Sequence, residues 1–447
     1  MTESPSGPVL LIGADPYVLR ACEEHGIEAI VLYGSYLRDS GLPKLPNCAT
    51  PVFAENHQDP ESILAALHRR GLGRIHPAGV YTSVEFAVTN AAVLASLYDC
   101  VSVDPHTMIA LRDKSVQKRL IREAGIPVAD LHVIEDIHQL SDDFALPFDR
   151  GVLKPVAGGS TALTSTVTCL SDVFDASRRY RERRTSWRTF AYESFVSGEE
   201  WFVDGYVVGG KPVFWSLGTY NEPCLSLIEN AVPAVMRRFD PAEDADRFAL
   251  ARPVVEAALQ ALGLNQSVFH MELFHDLETG QIAFGECAAR RGGGLVQEEV
   301  HCKFGVDLAA AGLLCAIGRN PEQRVTVRPD VVGTALFPPQ PGTLLNSPTA
   351  AEMLQFPGVE FATMEMPIGT TPGTRDSGTH QGAVVLAAPS VAEFDKRVDE
   401  VRSWNAERTT VLPPGLRKKE VKQWQRRIWP DRDFDNPLYS PARDRQR

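Results

Sequence analysis

The sequence predicts a mixed α/β protein, with an open parallel sheet first and short antiparallel strands after it. Three observations carry this prediction. The chain begins with a strand-helix-strand unit, its texture changes to short β runs after Gly151, and glycine-centred turns join several of those runs into hairpins. With 447 residues the chain is about two or three times a typical domain, so a core divided between domains is expected.

Pro8 to Gly13 is a short apolar run ended by glycine, a helical pattern follows to about Gly26, and Ala29 to Tyr33 is a second apolar run. Helices are expected at Pro60 to Arg70 and Ser83 to Leu97, flanking the short segments Arg74 to His76 and Cys100 to Val103. Residues 1–110 thus read as a Rossmann-like parallel α/β domain, although no GxGxxG pattern follows Gly13 to support a dinucleotide site. Val103 to Thr107 leads into a helix with Arg112, Asp113 and Lys114 near its start, which Gly125 and Pro127 stop.

Beyond it, Gly151 to Lys154, Ser165 to Thr168, Phe190 to Tyr192 and Glu200 to Val208 are strand-like, and Gly209-Gly210 turns the last back into Pro212 to Trp215. Pro241 to Leu262 reads as a helix, and Val268 to Leu273 with Gln281 to Glu286 as a hairpin about Glu278 to Gly280. Leu295 to Ile317 is expected to be one helix, Val325 to Phe337, Phe356 to Phe361 and Gly382 to Ala388 strands, and Val391 to Asn405 a helix.

Composition narrows the function classes. A 44% hydrophobic and 23% charged chain is ordinary for a globular protein. No uninterrupted apolar run of about 18 residues and no leader pattern is found, so a cytoplasmic protein without membrane partners is expected. The eight cysteines are scattered without a CxxC pair, which suggests neither a zinc site nor a disulfide framework. A net charge of −12 disfavours nucleic acid. The tail after Leu416 runs against that average, with ten Lys/Arg against five Asp/Glu. It reads as a solvated helix packing Trp424 and Trp429, ahead of a nucleic-acid arm.

The chemistry-bearing residues fall in a fixed order. Lys154 ends an apolar strand before a small-residue loop with Gly158, Gly159 and Ser160, where an amine and backbone N–H groups can meet phosphate oxygens. Glu193, Phe195, Val196 and Glu200 follow; backbone beside an apolar pair can meet a purine edge, and a carboxylate can hold ribose hydroxyls. His270 and Glu272 share one strand face, and hairpin pairing can set Glu286 beside Glu272. Two facing carboxylates repel unless a cation lies between them, and two Mg²⁺ ions bridged to a triphosphate would supply that charge. Gly285 to Gly294 then gathers one carboxylate, Arg290, Arg291 and three consecutive glycines.

From about Asp113 to Gly294 this order resembles the ATP-grasp superfamily. The resemblance implies a nucleotide-binding domain over 111–320 with a lid at about 150–196, preceded by the α/β domain and followed by a C-terminal accessory lobe and basic tail over 321–447. It implies ATP and Mg²⁺, two ions, as cofactors. By residue, Lys114 and Lys154 would contact phosphates under Gly158, Gly159 and Ser160; Glu193, Phe195 and Val196 would form the adenine hinge; Glu200 would hold the ribose. Glu272 and Glu286 would bind magnesium, Arg290 would stabilise an acylphosphate, Arg291 would bind phosphate, and His270 would orient a substrate group or satisfy Glu272. One departure stands out: the family usually has asparagine two residues after the last acidic ligand, and here that residue is Ala288.

The implied reaction is amide formation from a carboxylate and an amine through an acylphosphate, releasing ADP and phosphate. Within the superfamily the chain is similar to L-amino acid ligases of specialised metabolism, so amino acids joined into a dipeptide or γ-glutamyl product are expected. Three alternatives stay open: a non-amino-acid carboxylate, bicarbonate, or a nucleotide-binding regulator without turnover. A homodimer is left open too. Whether the loop Thr371 to His380 reaches the site is undecided by sequence, an ordinary surface loop being the expectation.

Overall fold

A computed structural model describes residues 7–100, 103–141, 143–230, 232–372 and 379–428. The amino-terminal expectation holds. Strands β1 (Val9–Ile12), β2 (Ala29–Tyr33), β3 (Ala49–Phe53) and β4 (Gly79–Thr82) form a sheet in the order β3-β2-β1-β4. All three pairings are parallel. Three of the flanking helices begin at an Asp-Pro step, Asp15-Pro16, Asp59-Pro60 and Asp104-Pro105. The carboxylate caps free N–H groups there while proline presets the first helical turn. The segment Arg74 to His76 is not a strand; the sheet is completed by β3 and β4, which the sequence reading passed over. Residues 101 and 102 of the Cys100 to Val103 segment lie outside the described residues.

Strands β5 (Leu131–Ile134), β6 (Gly151–Pro155), β7 (Ser165–Val167) and β8 (Phe190–Ser194) make a separate small sheet, order β5-β8-β6-β7. Helix Leu170–Glu182 closes its core, burying Val173, Ala176 and Tyr180 against Leu153, Phe190 and Tyr192. Lys154 rides on β6 at the edge of this small body, which carries the small-residue loop between β6 and β7.

The largest sheet has eight strands. It joins β9 (Glu199–Val208), β10 (Lys211–Tyr220), β11 (Val235–Arg238), β12 (Ser267–His275), β13 (Ile282–Ala288) and β14 (Val331–Phe337). A short pair, β15 (Thr343–Asn346) with β18 (Thr410–Leu412), stands apart, while β16 (Val359–Thr363) and β17 (Gly382–Ala388) complete the large sheet as β13-β12-β9-β10-β11-β14-β17-β16. The antiparallel β11–β14 ladder therefore carries one continuous sheet from the residues before 320 into those after 330.

The helix expected over Leu295 to Ile317 is two helices, Val296–Phe304 and Leu308–Ala316. Gly305, at φ 70°, breaks the pattern with a left-handed cap that other residues adopt only with strain. The second helix is apolar all round because it lies between sheets: Ala309, Ala310, Leu313 and Leu314 pack on the parallel sheet and Leu308 and Ala311 join the Val268 and Phe304 cluster. Helix Lys418–Ile428 forms in the basic tail and Trp424 is buried, whereas Trp429 lies outside the described residues. Among the described residues no helix is long and apolar enough to cross a membrane.

Candidate active site

The three sheets meet around one cleft of about 1030 Å³. Its walls bring together Lys154, Gly159, Ser160, Glu193, Phe195, Val196, Glu200, His270, Glu272, Glu286, Arg290 and Arg291, residues spread over nearly 140 positions of sequence. The gathering follows from pairing. Strand β12 lies between β9 and β13, so Glu272 faces Phe202 on one side and Glu286 on the other, and the two carboxylates stand opposite in register as the hairpin pattern predicts.

Lysines neutralise the acids. Asp113 caps helix Lys114–Glu123 through the Ser115 and Val116 N–H groups, which fixes Lys114 in the first turn, where its Nζ reaches Glu286 at 2.9 Å. One helical turn on, Lys118 meets the Glu193 carboxylate at 3.1 Å and donates to the Gly285 carbonyl at 3.0 Å. Lys154 reaches the same Glu193 oxygen at 3.0 Å. Lys118 was not singled out by the sequence reading. The signal was present, since a lysine four residues after Lys114 shares its helix face.

Charge shifts follow this geometry. Burial alone would raise the Glu286 carboxyl, yet Lys114 and Lys154 hold it down at about 2. Burial would likewise raise Glu193, and Lys118 and Lys154 keep it below the ordinary carboxylate range. Glu200 goes the other way, up to about 7, through burial and the nearby Glu272 charge, although it accepts the Cys224 N–H at 2.8 Å. This pocket edge suits hydroxyl groups in either protonation state.

The hinge segment needs one refinement. The Glu193 side chain is committed to the two lysines, and the Phe195 N–H is taken by the Arg150 carbonyl at 3.1 Å. A nucleobase edge would therefore be met by the Phe195 carbonyl and by Val196. The Arg150 guanidinium lies 3.6 Å from the Phe195 ring centroid, flanking the position a base would take.

A second buried network lies behind the strand acids. His270 shares a hydrogen bond through Nδ1 with Asp204 at 2.8 Å, and Asp204 pairs with Arg238 at 2.9 Å. Arg238 continues to Glu299 at 2.9 Å and Ser216 at 3.0 Å and lies over the Phe202 ring. Burial would lower the imidazole, but Asp204 raises it to about 9, so His270 is a fixed cation near neutral pH. Its Nε2 stands 3.8 Å from Glu272. Of the two roles open to His270, satisfying Glu272 is the one with a contact in the structure. Asp204, Arg238 and Glu299 carry no local motif and were invisible in sequence.

The glycine run serves this network. A Cβ on Gly292 would meet His270 Nδ1 at 2.7 Å and Asp204 Oδ1 at 2.8 Å, so only glycine lets the chain pass while its N–H donates to Asp204 at 3.2 Å. The arginines engage the amino-terminal domain. Glu85, after β4, pairs with both Arg290 and Arg112, and Arg112 holds the carbonyls of Ala157 and, at 3.0 Å, Gly158 in the small-residue loop. Arg291, expected at phosphate, is turned to Asp15 at 2.5 Å and lies 5.2 Å from the Tyr17 ring centroid.

The loop expectation also changes. Residues 373–378 lie outside the described residues, but Thr379 and His380, with Glu365, line the same cleft as the glycine run. For magnesium, Glu272 and Glu286 fit, because Mg²⁺ is commonly held by one or two carboxylates with phosphate oxygens completing its shell. Among the described residues no group of three His, Cys, Asp or Glu forms a fuller cage, and Ala288, paired in register with His270, adds no ligand.

No protein-family model matches the chain. Over 286 residues it is 22% identical to an L-arginine-specific L-amino acid ligase of Bacillus subtilis, a span covering 63% of this chain and 67% of that protein. The crystal structure of an L-amino acid ligase from Bacillus licheniformis superposes with a TM-score of 0.73 at 19% identity, covering 92% of this chain and 100% of that one. An ADP complex of N5-carboxyaminoimidazole synthetase from Staphylococcus aureus superposes with a TM-score of 0.59 at 13% identity, covering 89% and 98%. With the three-sheet cleft, these likenesses show the fold: the chain shares the architecture of these ligases and, in the order of its motifs, resembles ATP-grasp carboxylate–amine ligases.

Proposed function

We propose that the protein joins two amino acids, or an amino acid and another amine, in an ATP-dependent amide-forming reaction. The observation that carries this is the facing pair Glu272 and Glu286 with the ion-paired lysines Lys114, Lys118 and Lys154 around them. Phosphoryl transfer needs positioning and charge neutralisation more than a protein nucleophile, and this arrangement supplies both. A substrate carboxylate oxygen attacks the γ-phosphorus, ADP leaves, and the acylphosphate is then opened by an amine.

Lys154 and Lys114 would exchange part of their hold on Glu193 and Glu286 for phosphate oxygens, beneath Gly158, Gly159 and Ser160. Glu272 and Glu286 would hold Mg²⁺, whose charge offsets that of the triphosphate. Phe195 and Val196 would meet the base and Glu200 the ribose. Arg290 would face the acyl centre, with Glu85 holding its Nε. Arg291, paired with Asp15, suits the carboxylate of a substrate better than the nucleotide.

Phosphate release from ATP and Mg²⁺ across pairs of the twenty amino acids, followed by mass spectrometry, tests this reading. A pair-dependent signal with a product one water lighter than its substrates is expected. A second reading has one observation in its favour, the missing ligand at Ala288. On that reading the protein is a nucleotide-binding regulator, and ATP would bind without turnover with any carboxylate, bicarbonate included.

A further inference from the structure

Opening an acylphosphate with an amine demands a base. An alkylammonium, with a pKa of roughly 8 to 10, carries no lone pair for attack near neutral pH, so a proton must be removed where the amine binds. Most basic groups around the cleft are committed. His270 is paired with Asp204 and stays protonated, Lys114, Lys118 and Lys154 are cations in ion pairs, Glu286 is bound by Lys114, and Glu200 is held by the Cys224 N–H.

His380 differs. Its Nδ1 is buried without a hydrogen-bond partner among the described residues, on the cleft wall that also contains Leu336, Pro338 and Glu365. The wall is firmly placed. Gln381 is 2% exposed, donates its N–H to the Phe337 carbonyl at 2.7 Å, and anchors its side chain on Ser347 at 2.9 Å and Thr409 at 3.0 Å. The Gln381 carbonyl in turn accepts the Glu365 N–H at 3.1 Å. His380 and Glu365 are thereby held on adjoining segments, and both line the cleft that Arg290, Arg291 and the glycine run also line.

We propose that this wall is the acceptor-amine subsite, with Glu365 attracting the ammonium group and His380 the general base that removes its proton. The inference rests on the ligase reading. Burial lowers the His380 imidazole below its ordinary value, and the Glu365 charge opposes this only in part, so a neutral ring is available at pH 7. Among the described residues Glu365 is the charged group acting on it. In the step, His380 takes one proton from the ammonium group, the freed amine nitrogen forms a bond to the acyl carbon, the bond from that carbon to the phosphate oxygen breaks with its electron pair leaving on phosphate, and the nitrogen's second proton departs with that phosphate. The ligand class is a primary amine, an amino acid foremost, with apolar contact from Leu336 and Pro338.

Hydroxylamine separates the two half-reactions, because its conjugate acid is far more acidic than an alkylammonium and it attacks as free base at neutral pH. The full-length protein and its His380→Gln and His380→Ala variants are incubated with ATP, Mg²⁺ and single amino acids, with hydroxylamine or a second amino acid as acceptor. The inference expects hydroxamate formation within about threefold of wild type in both variants, and amide formation slowed about 10²- to 10⁴-fold, the deficit shrinking as pH rises and free amine accumulates. Retained hydroxamate formation also reports an intact fold. Equal losses with both acceptors, or an unchanged amide rate, would overturn the role of His380. If wild type yields no hydroxamate with any amino acid, the ligase reading itself fails and takes this inference with it.

Discussion

Lys118 is buried between two acceptors, the Glu193 carboxylate and the Gly285 carbonyl, and so ties the small sheet to the β12–β13 hairpin. Lys118→Met should cost about 3 kcal/mol, the scale on which half of a buried ion pair is lost, read from the urea midpoint, and should weaken ATP binding measured by calorimetry. The pH dependence has a definite sign. Glu193 is held below its ordinary value by Lys118 and Lys154, so its contribution is present above about pH 4.3 and lost as pH falls beneath it. Without Lys118 the depression is smaller, so that loss should be smaller and complete at a higher pH; an unchanged acid limb of the stability curve would contradict the assignment. The residues legible in sequence, Lys114, Lys154, Glu272 and Glu286, sit in local patterns whose chemistry is readable without the fold. Asp204 and Arg238 find their partners far away in sequence, and no local spacing marks them.

At the scale of elements, the small-residue loop after β6 is connected to the amino-terminal domain by a short chain of contacts: Ala157 and Gly158 to Arg112, Arg112 to Glu85, Glu85 to Arg290. Closing the loop and holding Arg290 therefore share one carboxylate. Glu85→Gln should raise protease cleavage between Gly158 and Thr164 in the nucleotide-free protein and lower kcat about tenfold or more, and ATP should restore protection. Equal cleavage in variant and wild type would show that the loop is held by other contacts. Gly292→Ala tests the neighbouring turn: a Cβ 2.7 Å from His270 Nδ1 should cost about 1–3 kcal/mol and displace His270. The hairpins of β9–β10 and β12–β13 were legible because alternation and glycine turns coincide. Strand β11 and helix Cys224–Glu229 were not, being too short for either periodicity to emerge, and the single helix expected over Leu295 to Ile317 overlooked what one glycine does to a uniformly apolar run.

The whole molecule has one feature that no segment announces: the residues before 320 and those after 330 share the eight-stranded sheet. Strand β11 pairs β10 on one edge and β14 on the other, and the β14 to β17 side covers it with Leu386, Phe394 and Val398 packed among Ala335 and Phe337. Removing everything after residue 320 would leave β11 as a bare edge, with unpaired backbone groups and an apolar flank turned to water. A fragment of residues 1–320 should therefore fail to unfold cooperatively and should associate, whereas a chain ended after Leu416 should keep the sheet, the cleft and the wild-type melting transition within a few degrees. Calorimetry of the two truncations decides the point. If the shorter fragment melts as a cooperative monomer, the shared sheet is a contact between independent domains; if it does not, the cleft walls that carry Leu336 and Glu272 belong to one folding unit, and the spacing between them is fixed by a ladder of backbone hydrogen bonds.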